Sequence, residues 1–270
     1  MCDACVIESV RDRMLSRRAL FGGAAAAAAG SLAMRPVPAR AEAHGSAPVD
    51  LTHTISADFP TWSGVPGFSA EKVADFASDG FNGFVLTVNE HTGTHIDAPL
   101  HFSADGASVD AIPPEQLVCP LCVVDIREKA EADPDAQVTP DDLDAWTSAN
   151  GEIPDGACVA MNSGWASRAE GDGFRNADAD GVMHFPGFHV EAAQMLLETG
   201  AAAIAVDTLS LDHGPSQDFA THYLWLPAGR YGIECVAGLD AMPAAGGTLV
   251  VGAPKHAGGT GGPARLIGLS

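Results

Sequence analysis

Residues 91–102 read HTGTHIDAPLHF, and no other stretch limits what this chain can fold into so tightly. Three histidines and an aspartate fall within eleven residues, interrupted by a glycine and a proline. Thr92-Gly93-Thr94 and Pro99 disfavour a helix, because glycine and proline both oppose helical backbone. In extended chain, successive side chains point to opposite faces. His91, His95, Asp97 and His101 are all odd-numbered, so an extended segment projects them to one side. Gly93 and Pro99 hold the intervening same-face positions and crowd them least, while Ile96, Ala98, Leu100 and Phe102 can face a core. Imidazoles and a carboxylate on one face suit a divalent cation, whose donors converge to within about 2.0–2.2 Å of one point.

Further ligands must come from elsewhere, since a two-ion site needs about six protein donors and a bridging carboxylate. His222 and Glu234 stand in an otherwise apolar, Gly-rich stretch, where an unpaired Glu is costly to bury. Asp207, Asp212 and His213 compete with them, and spacing alone does not choose. The isolated histidines His44, His53, His184, His189 and His256 are read as surface or hydrogen-bonded residues. No G-x-S-x-G elbow appears, which leaves a Ser-His-Asp hydrolase without support. Cys119 and Cys122 form a CxxC, but they run into the strand-like VVDI with no second pair. Strand-edge packing or a local disulfide is the expectation there.

HTGTHIDAPLHF resembles the H-x-G-T-H-x-D-x-P-x-H signature of the cyclase family. These metal-dependent hydrolases include bacterial kynurenine formamidases and isatin hydrolases. The likeness extends over DLTHTI (50–55), NSGW (162–165), residues 185–214, HYLWLPAGRYGIE (222–234) and residues 258–269. It implies an α/β fold: a single mixed-sheet domain over residues 42–270, of the swivelling β/β/α type, usually in a homo-oligomer (dimer or tetramer). It implies His91, His95 and Asp97 as ligands of a first ion, with Asp97 bridging to a second held by His222 and Glu234. His101 becomes the acid/base. The cofactor is then one or two divalent ions, Zn2+ or Mn2+, which His and carboxylate donors both suit. The implied reaction is hydrolysis of a carbon–nitrogen amide bond in an aryl formamide or a cyclic amide. The alternative is a non-catalytic periplasmic metal or small-molecule binding protein, against which His101 argues because metal binding alone does not need it. Trp62, Phe102 and Ser210 are candidate substrate contacts; Phe59, Trp165, Phe185 and Phe188 lie near the motifs but are equally suited to a core.

Short β-rich runs recur at residues 84–89, 121–126, 158–162, 203–207 and 248–252. Helices are expected over 140–148, with Thr139 as N-cap, and over 190–198, ended by Gly200. The long polar, Gly-rich stretch that ends at residue 189 is the length of a functional loop such as an active-site lid. Ahead of the domain, Arg17-Arg18 precede a short Ala-rich run and an A-x-A site at 39–41. That is the pattern of a twin-arginine export signal over residues 1–41, with a periplasmic or secreted mature protein and the export machinery as partner. The run is too short and too poor in Leu and Ile for a stable membrane anchor. A net charge of −21 excludes nucleic acid, which demands clustered Lys and Arg, and leaves a small molecule as substrate.

Overall fold

The computed structural model describes residues 47–270; the basic pair, the Ala-rich run, His44 and the expected cleavage site lie outside the described residues. In chain order the strands are β1 (Val49–Asp50), β2 (Phe68–Ala74), β3 (Gly83–Val88), β4 (His95–Asp97), β5 (Val118–Asp125), β6 (Gln137–Val138) and β7 (Cys158–Asn162). They continue with β8 (Gly187–Phe188), β9 (Ala203–Val206), β10 (Tyr231–Glu234), β11 (Gly247–Gly252), β12 (Gly261–Pro263) and β13 (Arg265–Leu269). The helices are α1 (Phe76–Asp79), α2 (Arg127–Ala132), α3 (Pro140–Asn150), α4 (Val190–Leu197) and α5 (Ala220–Trp225).

Nine strands form one mixed sheet in the order β1-β13-β11-β5-β7-β9-β10-β4-β12. Its centre, β5 through β10, is parallel, and the strands on either side run antiparallel. The parallel strands are apolar on both faces because both are covered. On one face Val124, Met161, Ile204 and Val206 pack with Leu143 and Trp146 of α3 and Leu196 of α4. On the other, Leu121, Ala160, Ala205 and Ile233 join Leu51, Leu249 and Leu266. Trp146 satisfies its indole by donating to the Val123 carbonyl at 2.9 Å. The mixed α/β fold is therefore the one expected.

The helix starts follow their sequence signals. At the head of α3 the Asp142 carboxylate accepts the Thr139 N–H at 2.7 Å, as a capping box requires, and the helix runs on to Asn150. The α4 helix starts at Val190 and buries Ala192, Ala193 and Leu196. Residues 70–86 belong to a separate unit, a β2–β3 hairpin carrying α1 in its turn. Phe76, Phe84, Val85 and Leu86 of this hairpin are exposed.

One expectation needs correction. Cys119 and Cys122 lie on β5, which is an interior strand, and both are free thiols. Three residues apart on a strand they point to opposite faces, Cys119 into one core and Cys122 into the other, so they form no disulfide. None of residues 166–188 lines the cavity described below, but the stretch between Trp165 and His189 touches one of its residues: the Arg175 guanidinium donates to the Trp62 carbonyl at 3.2 Å, and the Phe185 ring packs on that of Trp62 with centroids 6.1 Å apart. Replacing both Cys119 and Cys122 by Ala should leave the chain folded, with a circular dichroism spectrum that is the same under reducing and non-reducing conditions; a redox-dependent change in the unaltered chain would contradict this placement.

Candidate metal centre

The centre is built on the register of β4. This short strand lies between β10 and β12, with His95 opposite Glu234 and Ile96 opposite Ile233 on β10. Residues directly opposite on antiparallel strands share a face, and so do residues two apart on one strand. His95, Asp97 and Glu234 therefore project together, while Ile96 and Ile233 enter the core. Glu234 ends β10, at the carboxyl edge of the parallel strands where open α/β sheets place their ligands.

The expected single extended run over 91–102 is found only at His95–Asp97. Gly93 adopts φ +68°, a left-handed conformation that turns the chain ahead of the strand. Pro99 then opens a 3₁₀ turn over Pro99–Phe102. His91 and His101 thus arrive from opposite ends of the strand and stack, ring centroids 3.8 Å apart. Parity brought His91 and His101 to the right place for the wrong reason. His222 comes from α5. The Asp212 carboxylate accepts the backbone N–H groups of Thr221 and His222 at 2.8 and 3.2 Å.

The donor atoms converge closely. Asp97 Oδ1 lies 2.6 Å from His91 Nδ1 and 3.4 Å from His95 Nε2, and Asp97 Oδ2 lies 3.6 Å from His222 Nε2. The Glu234 carboxylate is 3.3 Å from His95 Nε2 and 3.2 Å from His222 Nε2. His95 Nε2 and Asp97 Oδ2 are buried and have no hydrogen-bond partner. Buried polar atoms are rarely left so, and a cation is the partner this donor set fits. The outer contacts point the same way. His95 gives its Nδ1–H to the Gly93 carbonyl at 2.8 Å, and His222 gives its Nδ1–H to Asp212 at 2.6 Å. Both keep an Nε2 lone pair for an ion, the arrangement typical of ligating histidines. The Leu211 N–H holds Glu234 at 3.0 Å.

Of the rival ligands, Asp212 is this outer partner. Asp207 lies apart, accepting Ser163 Oγ–H at 2.6 Å and the N–H groups of Ser163 and Trp165. Burial raises its pKa to about 6, although these hydrogen bonds work the other way. The isolated histidines also find local roles. His184 pairs with Asp135, His256 with Glu90, and His189 accepts the Glu191 N–H at the head of α4. His53 packs against Phe59 and Phe174.

Charge is balanced inside the centre. Burial opposes charge on His95, but Asp97, Cys235 and Glu234 outweigh it and hold its pKa well above the ordinary value. His222 behaves alike under Asp212, Asp97 and Glu234. Burial pushes Asp97 upward, yet His222, His91 and His95 take it well below the carboxylate range. Glu234 is opposed by burial and by Asp97, and its two imidazoles still bring it down. His101 differs: burial lowers its pKa, so it is neutral at neutral pH.

Above the donors is a cavity of about 400 Å³. Trp62, Phe102 and Ser210 line it, with Phe219, Leu209, Val65, Thr92 and Cys235. Trp165, Phe185, Phe188 and Phe59 are buried core residues instead. Phe219 and Cys235 escaped sequence reading; both are non-glycine residues at positive φ, 49° and 55°, which no sequence pattern announces.

The Cyclase family model matches residues 49–213. An isatin hydrolase of Roseibium aggregatum is 31% identical over 82% of this chain and 90% of its own. A kynurenine formamidase of Maricaulis maris is 28% identical over 81% of this chain and 95% of its own. A crystal structure of an isatin hydrolase bound to the product analogue thioisatinate superposes with a TM-score of 0.79 at 30% identity, over 83% of this chain and 92% of that one.

Because Asp97, Glu234 and Asp212 hold the pKa values of His95 and His222 well above the ordinary value, a divalent cation competes with protons for these rings. Titration of the metal-free protein with Zn2+ in buffers of different ionisation enthalpy should show proton release, and affinity should fall as pH falls. Binding without proton release would contradict this donor set.

Proposed function

The chain belongs to the cyclase family and is a metal-dependent amide hydrolase, and we propose that its substrate is a neutral cyclic amide fused to an aromatic ring, of which isatin is the type. His91, His95 and Asp97 would hold a first ion, and Asp97, His222 and Glu234 a second, zinc or manganese by their donor chemistry. When bound, such an ion supplies Lewis acidity, lowering the pKa of water to roughly 7 and polarising a carbonyl.

The walls of the cavity carry the choice of substrate. Trp62, Phe102 and Phe219 offer aromatic faces, and none of the described lining residues is Lys or Arg. Away from the donor set, the described walls offer no Lys or Arg to the amino-acid carboxylate of N-formylkynurenine, and an unpaired buried charge is heavily penalised. A planar neutral ring loses nothing of that kind. The likeness to isatin hydrolases supports the same choice.

His101 supplies the proton handling. Its neutral imidazole takes a proton from the attacking water and returns it to the amide nitrogen, a poor leaving group until protonated. Ring opening then yields an aryl amine and a carboxylate in one molecule. Trp62, 37% exposed, forms part of the rim. Ser210 offers a hydroxyl to the substrate or to water. The apolar residues exposed on the 70–86 hairpin support a homo-oligomer, and Arg17-Arg18 with the Ala-rich run support export to the periplasm.

The test is to offer isatin and N-formylkynurenine side by side to protein loaded with manganese or zinc. Isatin should be opened, and His101→Ala should lose activity by at least about a hundredfold while keeping its metal. Preference for N-formylkynurenine would overturn the substrate assignment, and full activity in His101→Ala would overturn the role of His101.

A further inference from the structure

Residues 60–67 lie in neither strand nor helix, and all of them but Gly64 line the cavity. Their hydrogen bonds turn mostly inward on the loop itself. The Thr61 hydroxyl donates to the Val65 carbonyl at 2.7 Å, and the Gly64 N–H donates to the Thr61 carbonyl at 3.1 Å. One end of the loop is fixed to the segment ahead of β4: the Gly67 carbonyl accepts the Asn89 N–H at 2.8 Å, and a Cβ on Gly67 would overlap the Thr92 hydroxyl. The other end carries Trp62. Its indole packs on Phe185 and Phe219 with ring centroids 6.1 and 5.5 Å apart. Apolar contact of this kind is non-directional and does not by itself fix the main chain that carries the indole.

That main chain is held by Arg175, whose Nη2 donates to the Trp62 carbonyl at 3.2 Å across 113 residues of chain. Among the described residues it is the one hydrogen bond that ties residues 60–66 to anything outside the loop. The guanidinium also lies against Gly64, where a Cβ would sit 3.0 Å from Nη1 and where φ is +71°. No ion pair engages Arg175 among the described residues, and its Nε is buried without a hydrogen-bond partner. The cation is thus committed to one backbone carbonyl, and a charged donor makes a stronger bond there than a neutral one. Its own base is firm. The Phe174 carbonyl accepts the Trp165 indole N–H at 2.8 Å, and Asn176 exchanges two hydrogen bonds with His184, at 2.8 and 3.2 Å.

We propose that Arg175 is a specificity-determining positioning residue: by tethering the Trp62 carbonyl it sets where the Trp62 indole stands at the cavity rim, and through the indole it sets the affinity for an aromatic substrate. This rests on the reading above that Trp62 meets the ring of the substrate. Arg175 does not itself line the cavity, so its effect falls on substrate binding and leaves the proton transfers of His101 untouched. Pre-ordering the rim before the ligand arrives lowers the entropy lost on binding, which is what a tether of this kind contributes.

The experiment measures isatin opening by the full chain loaded with manganese or zinc. Arg175→Ala should raise KM about fivefold to tenfold and leave kcat within about twofold, and Arg175→Lys, which keeps a donor, should recover most of the loss. Arg175→Ala combined with Trp62→Ala should be no worse than Trp62→Ala alone, because the arginine acts through the indole. A second readout needs no turnover. With 5-fluorotryptophan in place of the four tryptophans of the zinc-loaded chain, the Trp62 19F resonance, assigned with Trp62→Phe, should shift or broaden in Arg175→Ala. The resonances of Trp146 and Trp225, both buried, should stay in place and report an intact fold. An unchanged KM in Arg175→Ala, a matching fall in kcat, additivity with Trp62→Ala or an unmoved Trp62 resonance would overturn the proposal. If isatin is opened in that case, the hydrolase reading stands and only the role of Arg175 falls. If the unaltered chain does not open isatin, the substrate reading falls, and the Trp62 resonance decides whether Arg175 positions the indole.

Discussion

The carboxylate of Asp97 is fully buried, and a charge in that position survives only if its surroundings compensate it completely. Three imidazoles surround it, from His91, His95 and His222, and one of its oxygens is left without a hydrogen bond. Every other feature of the centre follows from holding those rings in place. The His95 ring is fixed by a backbone carbonyl and the His222 ring by Asp212, and the Nε2 of His91 lies 3.0 Å from Thr260 Oγ1. The second carboxylate, Glu234, is buried beside the first, and two like charges so close are mutually unfavourable unless cations stand between them. The imidazoles of His95 and His222 lie beside both carboxylates, and a divalent ion would supply the cationic charge there with better-directed bonds.

The sheet makes the arrangement rigid. With β4 flanked by β10 and β12, both edges of the strand are hydrogen-bonded, and slipping it by one residue would turn His95 and Asp97 into the core and Ile96 out of it. The cost of burying the imidazole and the carboxylate among apolar residues enforces the register. The cavity above combines aromatic walls with a polar floor, so the charged groups are concentrated at one end. The proposed substrate would be oriented by its own polarity, its amide toward the donors and its ring toward Trp62, Phe102 and Phe219. His101, stacked on His91 in the same cavity, is the neutral imidazole among charged neighbours.

How much of this was legible in the chain depends on the range over which each signal acts. The capping box at Thr139 and Asp142 and the apolar stripe of α4 are local, and both helices start where they were read. The central strands were visible as short β-rich runs because both their faces are buried. The pair His95 and Asp97 followed from strand alternation, which needs no partner. His91 and His101 were identified with the same rule, although a glycine turn and a 3₁₀ turn bring them in. His222 and Glu234 could not be separated from Asp207, Asp212 and His213 by spacing, and only resemblance to a family picked them out.

The sequence by itself determined the donor types, the strand that carries two of them, the core faces and the absence of clustered cations, because each is a property of neighbouring residues or of composition. Tertiary structure decided which distant residues meet that strand. Glu234 lies opposite His95 through strand register, Asp212 reaches His222 by capping a short helix, and Thr260 meets His91 across 169 residues of chain. It also separated Cys119 from Cys122 onto opposite faces. Those outcomes turn on long-range pairing and close approach, whose energies are shared among residues that no local pattern links.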